Sequence, residues 1–215
     1  MIEMDAGILT SQLSAILTST ITLLLSVGLS ITITRRYIIK RHASLAFWAS
    51  GLWLFSIGVL MELIFAFGAY SGVMMKTYLL IVAVLVELLA LGSLQLAKPR
   101  PIKLAYYVFI LASTVFLIYS VLESSMTNMI VDYVVAGQPP VLVTIASTIV
   151  TVPAAIVLVA SAYVSYRAKK DVRMLSIIAG VVVVSVSGAL YIVQYPAFLY
   201  IAEVVGVGLL WYGFV

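Results

Sequence analysis

Three glutamates, Glu62, Glu87 and Glu203, are the residues of this 215-residue chain best placed to do chemistry, because each interrupts a run of apolar side chains. A carboxylate in hydrocarbon is costly, so each must be protonated, paired or bound to something. Glu87 is the one charge in YLLIVAVLVELLALGSLQL, residues 78–96. With a helical rise of about 1.5 Å per residue, Glu87 falls near the bilayer centre, Glu203 a few Å toward the outside and Glu62 roughly 7 Å toward it. As the deepest of the three, Glu87 is expected to be the most sensitive to substitution. Small residues share each helix face: Gly58 and Ala66 with Glu62, Ala83 and Ala90 with Glu87, Gly206 with Glu203. The glutamates are therefore expected to face neighbouring helices rather than lipid. No lysine or arginine lies inside the apolar spans to neutralise them.

Two readings follow. In the first, each glutamate is a protonated structural group, hydrogen-bonded to a carbonyl, hydroxyl or tyrosine. In the second, Glu62, Glu87 and Glu203 form a proton, cation or polar-ligand site reached from outside, with Tyr191 at the position that corresponds to Glu62 in an internal repeat.

Other chemistries are excluded by what the chain lacks. It has no cysteine, and its one histidine, His42, sits in a basic stretch. Neither a bis-histidine haem nor a three-histidine zinc site can be assembled from it. A retinal Schiff base needs a lysine within the bundle, and there is none. No phosphate-binding loop, GxSxG or Cys/His pair occurs. The expectation is a protein that is not an enzyme, with no cofactor, no metal site and no nucleic-acid partner.

The elements that carry the glutamates follow from composition. The chain is 64% hydrophobic and 9% charged, against roughly 25% charged in soluble domains. Apolar runs near the roughly 20 residues needed to cross a bilayer consume most of its length. The spacing predicts an all-α, polytopic membrane protein with seven transmembrane helices at 8–34, 43–70, 78–97, 104–122, 141–166, 174–193 and 196–215. Of the 12 Lys and Arg, all but Lys76 fall after odd-numbered spans. Those turns contain Arg35, Arg36, Lys40 and Arg41, then Lys98, Arg100 and Lys103, then Arg167, Lys169, Lys170 and Arg173. The positive-inside rule then puts the N-terminus outside and the C-terminus in the cytoplasm of a cell-membrane protein.

Span one carries a hydroxyl at every fourth residue: Ser14, Thr18, Thr22, Ser26, Ser30 and Thr34. Small hydroxyls of this kind favour close helix packing, or line a polar path. Span five repeats the pattern with Thr144, Ser147, Thr148 and Thr151 and is expected to kink at Pro153. The outer loop, 123–140, holds MIVDYVV (129–135), apolar enough to lie at the interface as a short helix or extended segment. The terminal tyrosines and tryptophans read as interfacial anchors.

Residues 8–97 and 141–215 can be laid on one another as parallel repeats, with span 104–122 as the linker that keeps both copies in one orientation. Gly51 and Ser56 then match Gly180 and Ser185, and Glu87 and Gly92 match Glu203 and Gly208. Parallel repeats frame a central site in several transporter folds. The resulting expectation is a small carrier or channel with a buried carboxylate site. The alternative is a non-catalytic subunit or assembly factor of a larger membrane complex, with structural glutamates. Expected partners are the lipid bilayer, together with other membrane subunits or further copies of the chain.

Overall fold

The computed structural model describes residues 2–95, 100–126, 129–131, 134–135, 137–191 and 196–214. Side chains are described for these except at 2–11, 100, 131, 134, 169, 184–191 and 196–199. Lys98 and Asp132, and the side chains of Glu3, Asp5 and Tyr191, lie outside the described residues.

Seven helices run as α1 Ile2–Lys40, α2 Ala43–Ala66, α3 Gly72–Leu94, α4 Arg100–Glu123, α5 Val141–Lys169, α6 Val172–Tyr191 and α7 Pro196–Phe214. Among the described residues, five of them, α1 to α5, are long and apolar enough to cross a membrane. Val172–Val183 and Tyr200–Phe214 are shorter apolar helical stretches within α6 and α7. The fold is that of a polytopic, helical membrane protein.

Helix ends depart from the hydropathy boundaries for local reasons. The basic residues Arg35, Arg36 and Lys40 belong to the last turns of α1 rather than to a loop. Lysine and arginine are good helix formers, and cations at a C-terminus favour the helix dipole. α2 stops before Gly68, which takes φ 84°, a conformation open to glycine. α3 starts early because the Ser71 side chain caps it, accepting from the Met74 N–H at 3.2 Å. α5 continues through Pro153.

Six helices close a ring in the order α1, α2, α3, α5, α6, α7, each packed on its two neighbours, while α4 lies outside against α3 and α5. α1 and α2 are antiparallel, pairing Ser30 with Ser56 and Ala15 with Ala66. α1 and α7 are parallel, pairing Ala15 with Tyr200 and Leu25 with Trp211. Among the described residues the buried positions of α1 are 15, 19, 22, 26, 29, 30 and 33, mostly in steps of three and four that hold one face of a helix. A strict step of four turns about 40° per step instead, so the hydroxyl line runs from exposed Ser14 into the interior at Thr22, Ser26 and Ser30. It enters the helix seam only in its middle.

Two turns at the basic end share one construction. Arg41 and Lys170 both take the left-handed conformation, at φ 52° and 56°. The N–H of Arg41 donates to Tyr37 O at 2.7 Å and that of Lys170 to Tyr166 O at 2.7 Å. Each cation lies over the same tyrosine, at 5.9 and 5.8 Å from the ring centre. The helix pairs that follow are tightened by glycine at corresponding places. A Cβ on Gly51 would stand 3.1 Å from Leu85 O, and one on Gly180 3.0 Å from Gly206 O. A Cβ on Gly92 would stand 2.9 Å from Ser44 O, and one on Gly213 3.0 Å from Arg173 O.

The loop after α4 holds a two-stranded antiparallel ribbon, β1 Ile130–Val131 and β2 Val134–Val135, with Ile130 opposite Val135. Met129 and Val135 are buried against Phe65, Met75 and Tyr78. The segment is therefore extended, and it caps the end of the bundle opposite the basic turns.

Candidate functional site

Glu62 lies one turn before the C-terminus of α2 and is 2% exposed. The Tyr78 hydroxyl, from the second turn of α3, donates to its Oε1 at 2.5 Å. Tyr78 is itself fixed edge-on against Phe65, with ring centres 5.7 Å apart. Glu203 of α7 is 6% exposed, and its carboxyl interacts with that of Glu62. Two carboxylates side by side in an apolar interior repel one another, so the pair needs a proton or a cation to share. Beyond the other carboxyl, no donor among the described residues reaches Glu62 Oε2 or Glu203 Oε2.

Apolar clusters lie on either side of the pair along the helices. Toward the ribbon, Phe65, Met75, Met129 and Val135 form an apolar cover, with Met61, Met74 and Met126 packed on it. The thioether side chains are flexible and fill irregular gaps. Toward the basic end, Leu29, Ile33, Ala49 and Leu52 pack with Trp48, Trp211 and Phe214. Trp211 is anchored there by donating to Leu25 O at 2.8 Å, and Arg36 donates to Phe214 O.

Glu87 stands elsewhere. It is 2% exposed, but it faces α4, where Ser113 donates to Oε1 at 3.2 Å and Thr114 to Oε2 at 2.8 Å. Nine residues separate Tyr78 from Glu87 along α3, about 13 Å of helix. With both oxygens satisfied, Glu87 fastens the outer helix α4 to the ring. The structure thus brings Glu62 and Glu203 together and leaves Glu87 with other partners. Tyr191 is the last residue of α6.

Four residues were not read from the sequence. Tyr78 looks like an interfacial anchor because it begins an apolar run, yet it is buried and aimed at Glu62. Ser113 and Thr114 give no signal beyond being adjacent hydroxyls in α4. Ser19, fully buried on the face of α1 that packs against α2 and α7, falls off the every-fourth line. A search for buried-face steps of three and four from Ala15 would have found it.

Among the described residues no group of three or more His, Cys, Asp or Glu is arranged to hold a metal ion. Compared with protein-family models, curated proteins and solved structures, the chain matches none.

Proposed function

We propose that this protein is a small carrier whose Glu62–Glu203 carboxyl pair binds a proton or cation during transport across a cell membrane. The carrying observation is that two glutamates from different helices meet inside the ring, with Tyr78 as donor and apolar packing above and below. Intramembrane ionisable residues that face one another mark ion and proton pathways in membrane proteins. A site with apolar clusters on either side suits an occluded stage of alternating access.

The matching turns at Arg41 and Lys170 support a parallel 3+1+3 repeat, since both lie 129 residues apart, as do Gly51 and Gly180. The ring order also returns to itself when α1, α2 and α3 exchange places with α5, α6 and α7. The glycine contacts favour Gly92 opposite Gly213, a register five residues away from the one that pairs Glu87 with Glu203. In that register Glu203 corresponds to Val82, so the carboxyl pair, with Glu62 from one half of the ring and Glu203 from the other, is not duplicated by the repeat. With the basic turns cytoplasmic, the N-terminus is outside and the Met-lined cover faces outward.

The alternative, a non-catalytic subunit of a larger membrane complex, draws on α4. Leu104, Val108, Leu111, Val115 and Leu122 of that helix are exposed, a surface that fits lipid or another subunit.

Purified protein in liposomes loaded with a pH-sensitive dye tests the reading. An imposed proton gradient should drive dye-detected uptake in the wild type. Glu62→Gln and Glu203→Gln should each abolish it, while Glu87→Gln should leave it within about twofold, as expected of a group outside the ion's path. No uptake by folded wild type, or uptake untouched by the first two substitutions, sinks the proposal.

A further inference from the structure

Resting on that reading of the pair, we infer that Glu62 and Glu203 form a dehydrated sodium-class cation site completed by the hydroxyls of Ser19 and Thr22 on α1. Two buried oxygens of α1 have no hydrogen-bond partner. Ser19 and Thr22 are both 0% exposed, and neither Ser19 Oγ nor Thr22 Oγ1 makes a hydrogen bond. Other described hydroxyls on α1 have partners: Thr18 donates to Ser14 O, Ser26 to Leu23 O and Ser30 to Ser26 O. A buried hydroxyl left without a partner loses its hydration for no return. Two of them one turn apart on the same face point to something they bind.

Helix register places both at the level of the carboxyl pair. Glu62 lies one turn from Ala66, which packs on Ala15, in the direction of Ser56, which meets Ser30. In that antiparallel pairing the residues of α1 opposite Glu62 are Ser19 to Thr22. Glu203 lies one turn beyond Tyr200, which also packs on Ala15, and α7 runs parallel to α1. Its level is again that of Ser19. α1 sits between α2 and α7 in the ring, so its buried face lies between the helices that carry the two carboxyls.

By helix register the side-chain groups nearest this level are oxygen donors: Glu62 Oε2, Glu203 Oε2, Ser19 Oγ and Thr22 Oγ1, with the hydroxyls of Tyr78, on Glu62, and Tyr200, one turn before Glu203. Hard cations choose such a set, and soft metals do not. Charge selects the class further. When one carboxyl of the pair is ionised, a monovalent cation neutralises its single negative charge. No fixed cation competes for it. Arg35 is thirteen residues beyond Thr22, about 20 Å along α1. Lys76, the nearest basic residue on α3, is engaged with Leu122 O at 2.9 Å.

The test is thermal unfolding of the full-length protein in detergent, with sodium chloride replacing choline chloride at constant ionic strength. A ligand bound only by the folded state raises the melting temperature with its concentration. Wild type should gain several degrees on going to saturating sodium, and binding of radioactive sodium should saturate over the same range. Ser19→Ala, Thr22→Val and the double variant should fold, because the hydroxyls they remove have no partner to strand. Each should shift the sodium midpoint upward by at least about tenfold, and the double variant should lose the response. A response equal to wild type in the double variant overturns the inference, as does stabilisation by calcium chloride in place of sodium. A wild type that ignores sodium overturns it also, and marks the hydroxyls as holding water. In those cases proton uptake that still depends on Glu62 and Glu203 leaves the carrier reading standing.

Discussion

At the residue scale, similar letters have separate roles once packed. Glu87 and Gly92 repeat the spacing of Glu203 and Gly208, yet the two glycines face different surroundings. A Cβ on Gly92 would lie 2.2 Å from Trp48 Cδ1, a ring held in place by donating to Leu89 O and Ser93 Oγ at 3.2 Å each. A Cβ on Gly208 would meet nothing within 4 Å. Gly92→Ala must displace the indole, so a loss of about 1–3 kcal/mol is expected from overpacking. Gly208→Ala should be neutral or stabilising by up to about 1 kcal/mol, because alanine is the better helix former. Thermal melts of the two variants check this, and equal destabilisation would contradict it. The glutamates were legible in the sequence as buried groups that need partners. Their partners were not, because a hydroxyl such as Thr114 becomes the ligand of Glu87 only through the packing of α4 on α3.

At the scale of elements, all seven helices could be read from apolar run length alone. Their ends could not, since capping and helix propensity shift them: Ser71 pulls α3 forward, and α1 carries its basic residues inside its last turns. The ribbon at 130–135 was readable as apolar and interfacial, but its strand pairing depends on contacts with α2 and α3 distant in sequence. The turns at Arg41 and Lys170 were readable only as basic. Their left-handed backbones place a Cβ against a carbonyl oxygen, at a cost of roughly 1–2 kcal/mol that glycine avoids. Part of that gain is returned through the greater freedom of glycine in the unfolded chain. Arg41→Gly and Lys170→Gly should therefore each stabilise by about 0.5–1 kcal/mol, with additive effects because the turns are separate. Melting temperatures of the two single variants and the double variant measure it. Opposite signs at the two positions would show that the turns are not built alike.

At the scale of the whole molecule, the ring sets α2 and α7 on either side of α1, so that Glu62 and Glu203 interact although they are 141 positions apart in sequence. Periodicity gives each helix its inward face, but it does not say which two faces meet. That is why Glu62 and Glu203 could be listed as candidates while their contact had to come from the fold. The central claim is that these two residues act as one unit, and a double-mutant cycle in thermal stability tests it most directly. Groups in contact depart from additivity by about 0.5–3 kcal/mol, whereas separated groups add within about 0.5 kcal/mol. Melting free energies are to be measured for wild type, Glu62→Gln, Glu203→Gln and the double variant, with Glu62→Gln combined with Glu87→Gln as the control. The expected result is an interaction of at least about 1 kcal/mol for Glu62 with Glu203 and additivity for Glu62 with Glu87. Additivity in the first cycle would contradict the shared site.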